Sequence, residues 1–111
     1  MSTPILCTSL EEVRAHIDAI DRSIVKLLAE RGHFVAQAAR FKKSADEVKA
    51  PQRVEQVLSK VGVLAEELGA NPNVTESVYR AMIGAFIDAE LAEHARVTSG
   101  SQQETPPKEN N

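Results

Sequence analysis

The run from Leu10 to Phe41 constrains this chain most. Leu10, Val13, Ile17, Ile20, Ile24, Leu27/Leu28, Val35, Ala38 and Phe41 recur every three to four residues, the spacing of one face of an α-helix. No proline interrupts the run, and Gly32 is its only glycine. Thr8 and Glu11 have capping-box spacing, which places the predicted helix start at Thr8. The helix is expected to reach about Lys42, roughly 50 Å along its axis, far longer than an average helix. With 111 residues in the whole sequence, too little chain remains to cover such a rod. A second copy of the chain is the expected cover.

The remaining sequence supplies two shorter helices. Residues 43–50 are polar and end before Pro51, and they are expected to form a loop. Pro51 suits a first helical turn, and Val54, Val57, Leu58, Val61, Leu64, Ala65 and Leu68 give the second stripe, with Gly69 as its stop. After the Asn71-Pro72-Asn73 turn, Val74, Val78, Met82, Ile83, Phe86, Ile87 and Leu91 give a third. The expectation is an all-α fold of three helices per chain, one long and two shorter, in a helical domain over residues 1–97. The Ser-, Gln- and Pro-rich stretch 98–111 is expected to be a disordered tail.

Composition removes several classes of function. A net charge of -3 disfavours nucleic acid, whose phosphates call for a basic surface. The single Cys7 excludes an internal disulfide and a thiolate metal cluster, and His16, His33 and His94 lack ligand spacing, so no metal or cofactor is expected. No run approaches the ~20 apolar residues of a membrane span, and no secretory signal pattern opens the sequence. The expected location is the cytoplasm.

The informative residues are charges where the helical period expects apolar groups. Ile17, Ile24 and Ala38 are spaced by multiples of seven, and Arg31 occupies the missing member of the series. A guanidinium in a seam needs an anion, because burying an unpaired charge is costly. Lys42 follows near three full turns later, roughly 16 Å along the axis. Arg14 borders the same stripe but stands about 25 Å from Arg31. One small ligand cannot touch both from a single helix, whereas two antiparallel copies could bring them together. Arg53 opens the second helix, whose N-terminus already favours anions. Glu90 stands at helical spacing from Ile83, Phe86 and Ile87, in the middle of an apolar face. Desolvation favours a protonated carboxyl there, and nearby cations oppose it; only the protonated form donates a hydrogen bond. Singly, such Arg and Lys residues more often extend to water. Together they outline a site for a small anionic molecule.

The stretch Leu10-x-x-x-Arg14-x-x-Ile17-Asp18-x-Ile20-Asp21, followed by Leu28-x-x-Arg31, resembles the opening helix of the all-helical chorismate mutases. Cys7-Thr8, Arg40-Phe41-Lys42 and Ala50-Pro51-x-Arg53-Val54 resemble the branch that contains the isochorismate pyruvate lyases of salicylate and siderophore synthesis. The resemblance spans about residues 7 to 95. It implies an intertwined homodimer built on the long helix, with two sites and a small-molecule substrate, chorismate or isochorismate. It implies that Arg14 reaches the partner's site to bind one carboxylate and that Arg31 binds the other. Lys42 would donate to the ether oxygen and a carboxylate, Arg53 would support the anion, and Glu90 would donate to the ether oxygen. Residues 43–50 would form a lid that orders on binding.

Two positions bear on the reaction. Many bacterial mutases carry Glu after the second-helix Arg, where this chain has Val54, as the lyase branch does. The lyases carry Gln where this chain has Glu90, and fungal and plant mutases carry Glu. The expected activity is chorismate mutase, with isochorismate pyruvate lyase beside it. A non-catalytic helical dimer that binds an anionic metabolite is the alternative from another class.

Overall fold

The computed structural model describes the backbone of residues 4–104 and the side chains of residues 4–97. The fold is all-helical over that range: three long helices, with one short helix between the first and second, and no strand among the described residues. The chain divides into two compact units, residues 1–35 and 36–111.

The first unit is the bulk of α1, Leu10–Ala39. Its capping residue lies one position after the expected Thr8. Ser9 Oγ accepts the Glu12 N–H at 3.1 Å, and the Glu12 carboxylate accepts the Thr8 N–H at 2.6 Å. The capping residue is therefore Ser9 rather than Thr8, with Glu12 reaching back to the N–H of the residue before the cap. Thr8–Glu11 and Ser9–Glu12 both have the required spacing, but Ser9 is the residue directly before the first helical turn, and its carbonyl accepts the Val13 N–H. No residue of α1 is buried. Ile17 and Ile24 are about half exposed at 48% and 49%, Leu27 is 60% exposed and Phe34 69%. Full burial of such a side chain is worth ~1.5–3 kcal/mol. A helix that leaves most of its apolar face exposed forgoes much of the stabilisation that burial would provide.

The second unit begins with the end of α1. The helix stops at Ala39, short of the expected Lys42. Arg40, Phe41 and Lys42 each donate their N–H to the carbonyl three residues earlier, a tightened final turn that is common at helix ends. The segment expected as a loop then forms α2, Ala45–Lys49. Ser44 Oγ accepts the Glu47 N–H, and Glu47 accepts the Lys43 N–H at 2.7 Å. This box holds a helix too short to persist alone. Val48, the one large apolar residue of the segment, is its anchor at 2% exposure.

Ala50 ends α2 and precedes α3 with φ 37°, in the left-handed region, which costs a non-glycine residue roughly 1–2 kcal/mol. Pro51 follows at the start of α3, Pro51–Leu68, where its missing N–H leaves nothing unsatisfied. Gly69, at φ 79°, closes α3 and donates its N–H to Ala65 and Glu66. A residue with a Cβ is strained at that angle. Asn71 Oδ1 accepts the N–H groups of Asn73 and Val74 and so caps α4, Pro72–Glu104.

Within this unit α3 and α2 both pack on α4. Leu58, Val61 and Ala65 of α3, Val48 of α2 and Ile83 of α4 are its buried apolar residues. The tail expected over 98–111 coincides with the last turns of α4, to Glu104, and with residues 105–111, which lie outside the described residues.

Candidate active site

One polar residue is buried among this apolar set. Glu90, 8% exposed, is the single buried charged or polar residue among those described. Its place follows from the α4 period: it shares a face with Ile83, which is buried, and with Phe86 and Ile87, which are half-buried. A carboxylate there needs compensation, and Lys42 supplies it. Lys42 Nζ lies 3.2 Å from Glu90 Oε2, with Lys42 itself 24% exposed. The lysine follows the tightened end of α1 and precedes the capped α2. The burial of Val48, together with the packing of α2 on α4, keeps that stretch close to Glu90.

Of the other expected residues, Arg53 lies on α3 and Arg14 and Arg31 lie on α1. Arg53 lies exposed in the first turn of α3 and lines an open recess with Pro51, Gln52, Glu55, Gln56 and Lys60. Every residue of that recess belongs to α3, so it is distinct from the Lys42–Glu90 contact. In the first unit Arg14 is exposed and Arg31 half-buried on α1. Their axial separation, about 25 Å, exceeds the span of one small ligand.

His94 was not singled out by its sequence spacing. It is half-buried one helical turn beyond Glu90 on α4, so the i, i+4 interval from Glu90 was the available signal. Between them Glu93 turns outward to Arg96, with contacts of 2.6 and 3.1 Å. The hydrogen bond and charge of Arg96 hold the Glu93 carboxyl below its ordinary range, and Glu93 raises Arg96 in return. Both groups are fully exposed. No cluster of three or more His, Cys, Asp or Glu side chains that could hold a metal occurs among the described residues. No helix among them is long and apolar enough to cross a membrane.

A buried carboxyl paired with an ammonium can do two things. It can fix the position of the cation, and in its protonated form it can donate a hydrogen bond. Neither function requires a nucleophile.

Comparison with known proteins gives the family. The chain is 38% identical over 101 residues to the isochorismate pyruvate lyase of Pseudomonas aeruginosa, a match that covers 91% of this chain and 99% of that protein. The sequence model of the chorismate mutase type II family matches residues 13–91, which include Arg14, Arg31, Lys42, Arg53 and Glu90. With the family pattern running from early α1 into α4 and a relative matched over nearly its full length, the chain belongs to the chorismate mutase type II family.

Proposed function

We propose that this chain is a pericyclic enzyme for chorismate-type dicarboxylates, acting as a homodimer, with conversion of chorismate to prephenate as its reaction. The observation that carries the reading is the contact of Lys42 with the buried Glu90. It places a cation and a potential neutral donor at one point, the pairing that a breaking ether bond requires. In this rearrangement the ether C–O bond breaks as a C–C bond forms within the same molecule. Acceleration comes from holding the compact reactive conformer and from stabilising negative charge that grows on the ether oxygen. Arg31 and a partner's Arg14 hold the two carboxylates, Arg53 adds to the anionic field, Lys42 and protonated Glu90 donate to the ether oxygen, and no metal or cofactor takes part.

The homodimer is supported by two features of α1. Its apolar face is exposed along its length, and its two arginines are too far apart to share one ligand within a chain. An antiparallel second copy answers both.

A second reading has its own support. The relative matched over nearly the whole chain bears the name isochorismate pyruvate lyase, and Val54 leaves no carboxylate directly after Arg53. On this reading isochorismate loses pyruvate to give salicylate through a related cyclic transition state in the same cage. Purified protein incubated separately with chorismate and isochorismate separates the readings. Prephenate formation marks the mutase, and salicylate fluorescence with pyruvate release marks the lyase. If neither substrate is consumed, the protein is a non-catalytic binder and the proposal fails.

A further inference from the structure

Ala50 is the one non-glycine residue with positive φ among those described, at φ 37° and ψ 63°. Most local rules pull it elsewhere. The Cβ of an alanine disfavours the left-handed region. The residue before a proline is driven toward extended backbone, and Pro51 follows. As the residue before the first turn of α3, Ala50 should again be extended, and it gives that helix no side-chain cap. One local rule favours what is observed: a helix commonly ends on a left-handed residue. Ala50 closes α2 in that way, donating its N–H to the Asp46 carbonyl at 3.0 Å, while its own carbonyl accepts the Val54 N–H of α3 at 3.1 Å.

A helix of five residues is too weak to impose that choice. Docking imposes it. Val48, two residues earlier, is 2% exposed, and α2 packs on α4. Leu58, Val61 and Ala65 are buried on α3, which packs on the same helix. With both flanking helices fixed to α4, the joint between them is a single residue. An extended Ala50 would send α2 in another direction, and α2 and α3 could not both keep their places on α4. Lys42 stands eight residues before this joint and Arg53 three after it. The backbone angle at residue 50 therefore governs how these two cations stand relative to each other.

We propose that Ala50 is a positioning residue for ligand binding, whose left-handed backbone sets Lys42 and Arg53 at the spacing that one anionic ligand bridges. The inference rests on the proposed function, since it assumes that both cations serve one ligand. Because the role lies in a backbone angle, substitutions at this position rank by conformation rather than by size. Gly and Asn accept the left-handed region, whereas a β-branched residue resists it.

The test is turnover of chorismate and of isochorismate by Ala50→Gly, Ala50→Asn and Ala50→Val, at a temperature where circular dichroism shows each variant folded. Asn and Val both add bulk at this half-buried position, so crowding alone ranks them together. Ala50→Gly and Ala50→Asn are expected to keep kcat/KM within about twofold of wild type, and Ala50→Val to lose about tenfold with a raised KM. Where Ala50→Val does not fold, Ala50→Thr, the milder β-branched change, is expected to lose about threefold. In a Lys42→Ala background the β-branched change is expected to cost no more than about twofold, because the cation that it displaces is gone; a general weakening of the fold would cost as much there as in wild type. Equal losses in Ala50→Asn and the β-branched variant overturn the proposal, as do full activity in the β-branched variant and an undiminished effect in the Lys42→Ala background. Those outcomes leave the proposed function standing, since the wild type still turns over a substrate. If the wild type consumes neither substrate, the two fall together.

Discussion

Lys42 Nζ and Glu90 Oε2 lie 3.2 Å apart although 48 residues separate them in the chain. The pair joins the stretch between α1 and α2 to the middle of α4, and it holds a carboxylate in an apolar setting. Lys42→Ala removes the cation and leaves the acid buried. The expected cost is about 1–2 kcal/mol in urea unfolding, below that of a fully buried pair because Lys42 is partly exposed. Turnover of the accepted substrate is expected to fall by about 10²–10³-fold, the scale of losing one donor to a developing oxyanion. Full activity in Lys42→Ala sinks its assigned role.

Arg14 and Arg31 offer a test of site sharing. Each single Ala variant is expected to lose nearly all activity while its far-ultraviolet circular dichroism stays unchanged, because neither residue is buried on α1. If each site takes Arg31 from one copy and Arg14 from the other, a mixed dimer of Arg14→Ala with Arg31→Ala contains one intact site. Unfolding and refolding the two variants together at equal amounts should recover about a quarter of wild-type activity. No recovery in a mixture that refolds as dimers would place both arginines in the same copy's site.

The exposed face of α1 makes a prediction about assembly. Ile24→Glu sets a charge in the centre of that face, where Ile24 is 49% exposed in the single chain. Sedimentation is expected to show a dimer for the wild type and a monomer for this variant. Thermal stability should fall and lose its dependence on protein concentration. A dimer of undiminished stability in this variant would move the interface off α1.

The Ser44–Glu47 box and Val48 set where Lys42 stands. Glu47→Ala removes the acceptor of the Lys43 N–H and is expected to cost about 1 kcal/mol, as loss of a cap does. Val48→Ala empties the most buried position of α2 and is expected to cost ~1–3 kcal/mol. In both variants kcat should fall more than the global stability alone explains, because Lys42 loses its fixed approach to Glu90. Glu47→Gln, which keeps an acceptor, should restore most of the loss. A Glu47→Gln variant as impaired as Glu47→Ala would exclude the hydrogen bond as the cause.

One turn beyond Glu90 on α4, Glu93 is held below its ordinary range by Arg96. A depressed carboxyl favours the folded state above its unfolded value, and that contribution fades as pH falls through the folded value. Because both groups are fully exposed, solvent screens the effect. Arg96→Ala is expected to move Tm by no more than about 2 °C at neutral pH, and less still in acid. A large loss of stability would mean that Arg96 does more than pair with Glu93.

Much of the helical content was legible in the sequence, because a helical period is a local property that each turn repeats. The apolar series from Leu10 onward predicted α1, Pro51 and Gly69 bounded α3, and Glu90 was conspicuous as a carboxyl at an apolar position. Boundaries were less legible where two local solutions compete. Thr8–Glu11 and Ser9–Glu12 both have the spacing of a capping box, and the structure caps on Ser9. The segment 43–50 read as a loop because it carries one large apolar residue, and a single Val48 shows no period. It becomes helical through its cap and through burial of that valine.

The run of residues along the chain thus determined that the protein is helical, where its cations and its odd carboxyl lie, and that Arg14 and Arg31 cannot serve one ligand from a single helix. The ending of α1 at Ala39, the forming of α2, and the pairing of Lys42 with Glu90 were decided only by tertiary structure. Spacing along one helix reports which residues share a face. Contact between residues 48 positions apart depends on how separate elements dock, and that is set by the burial of side chains such as Val48, Leu58 and Ile83 rather than by any pattern within one element.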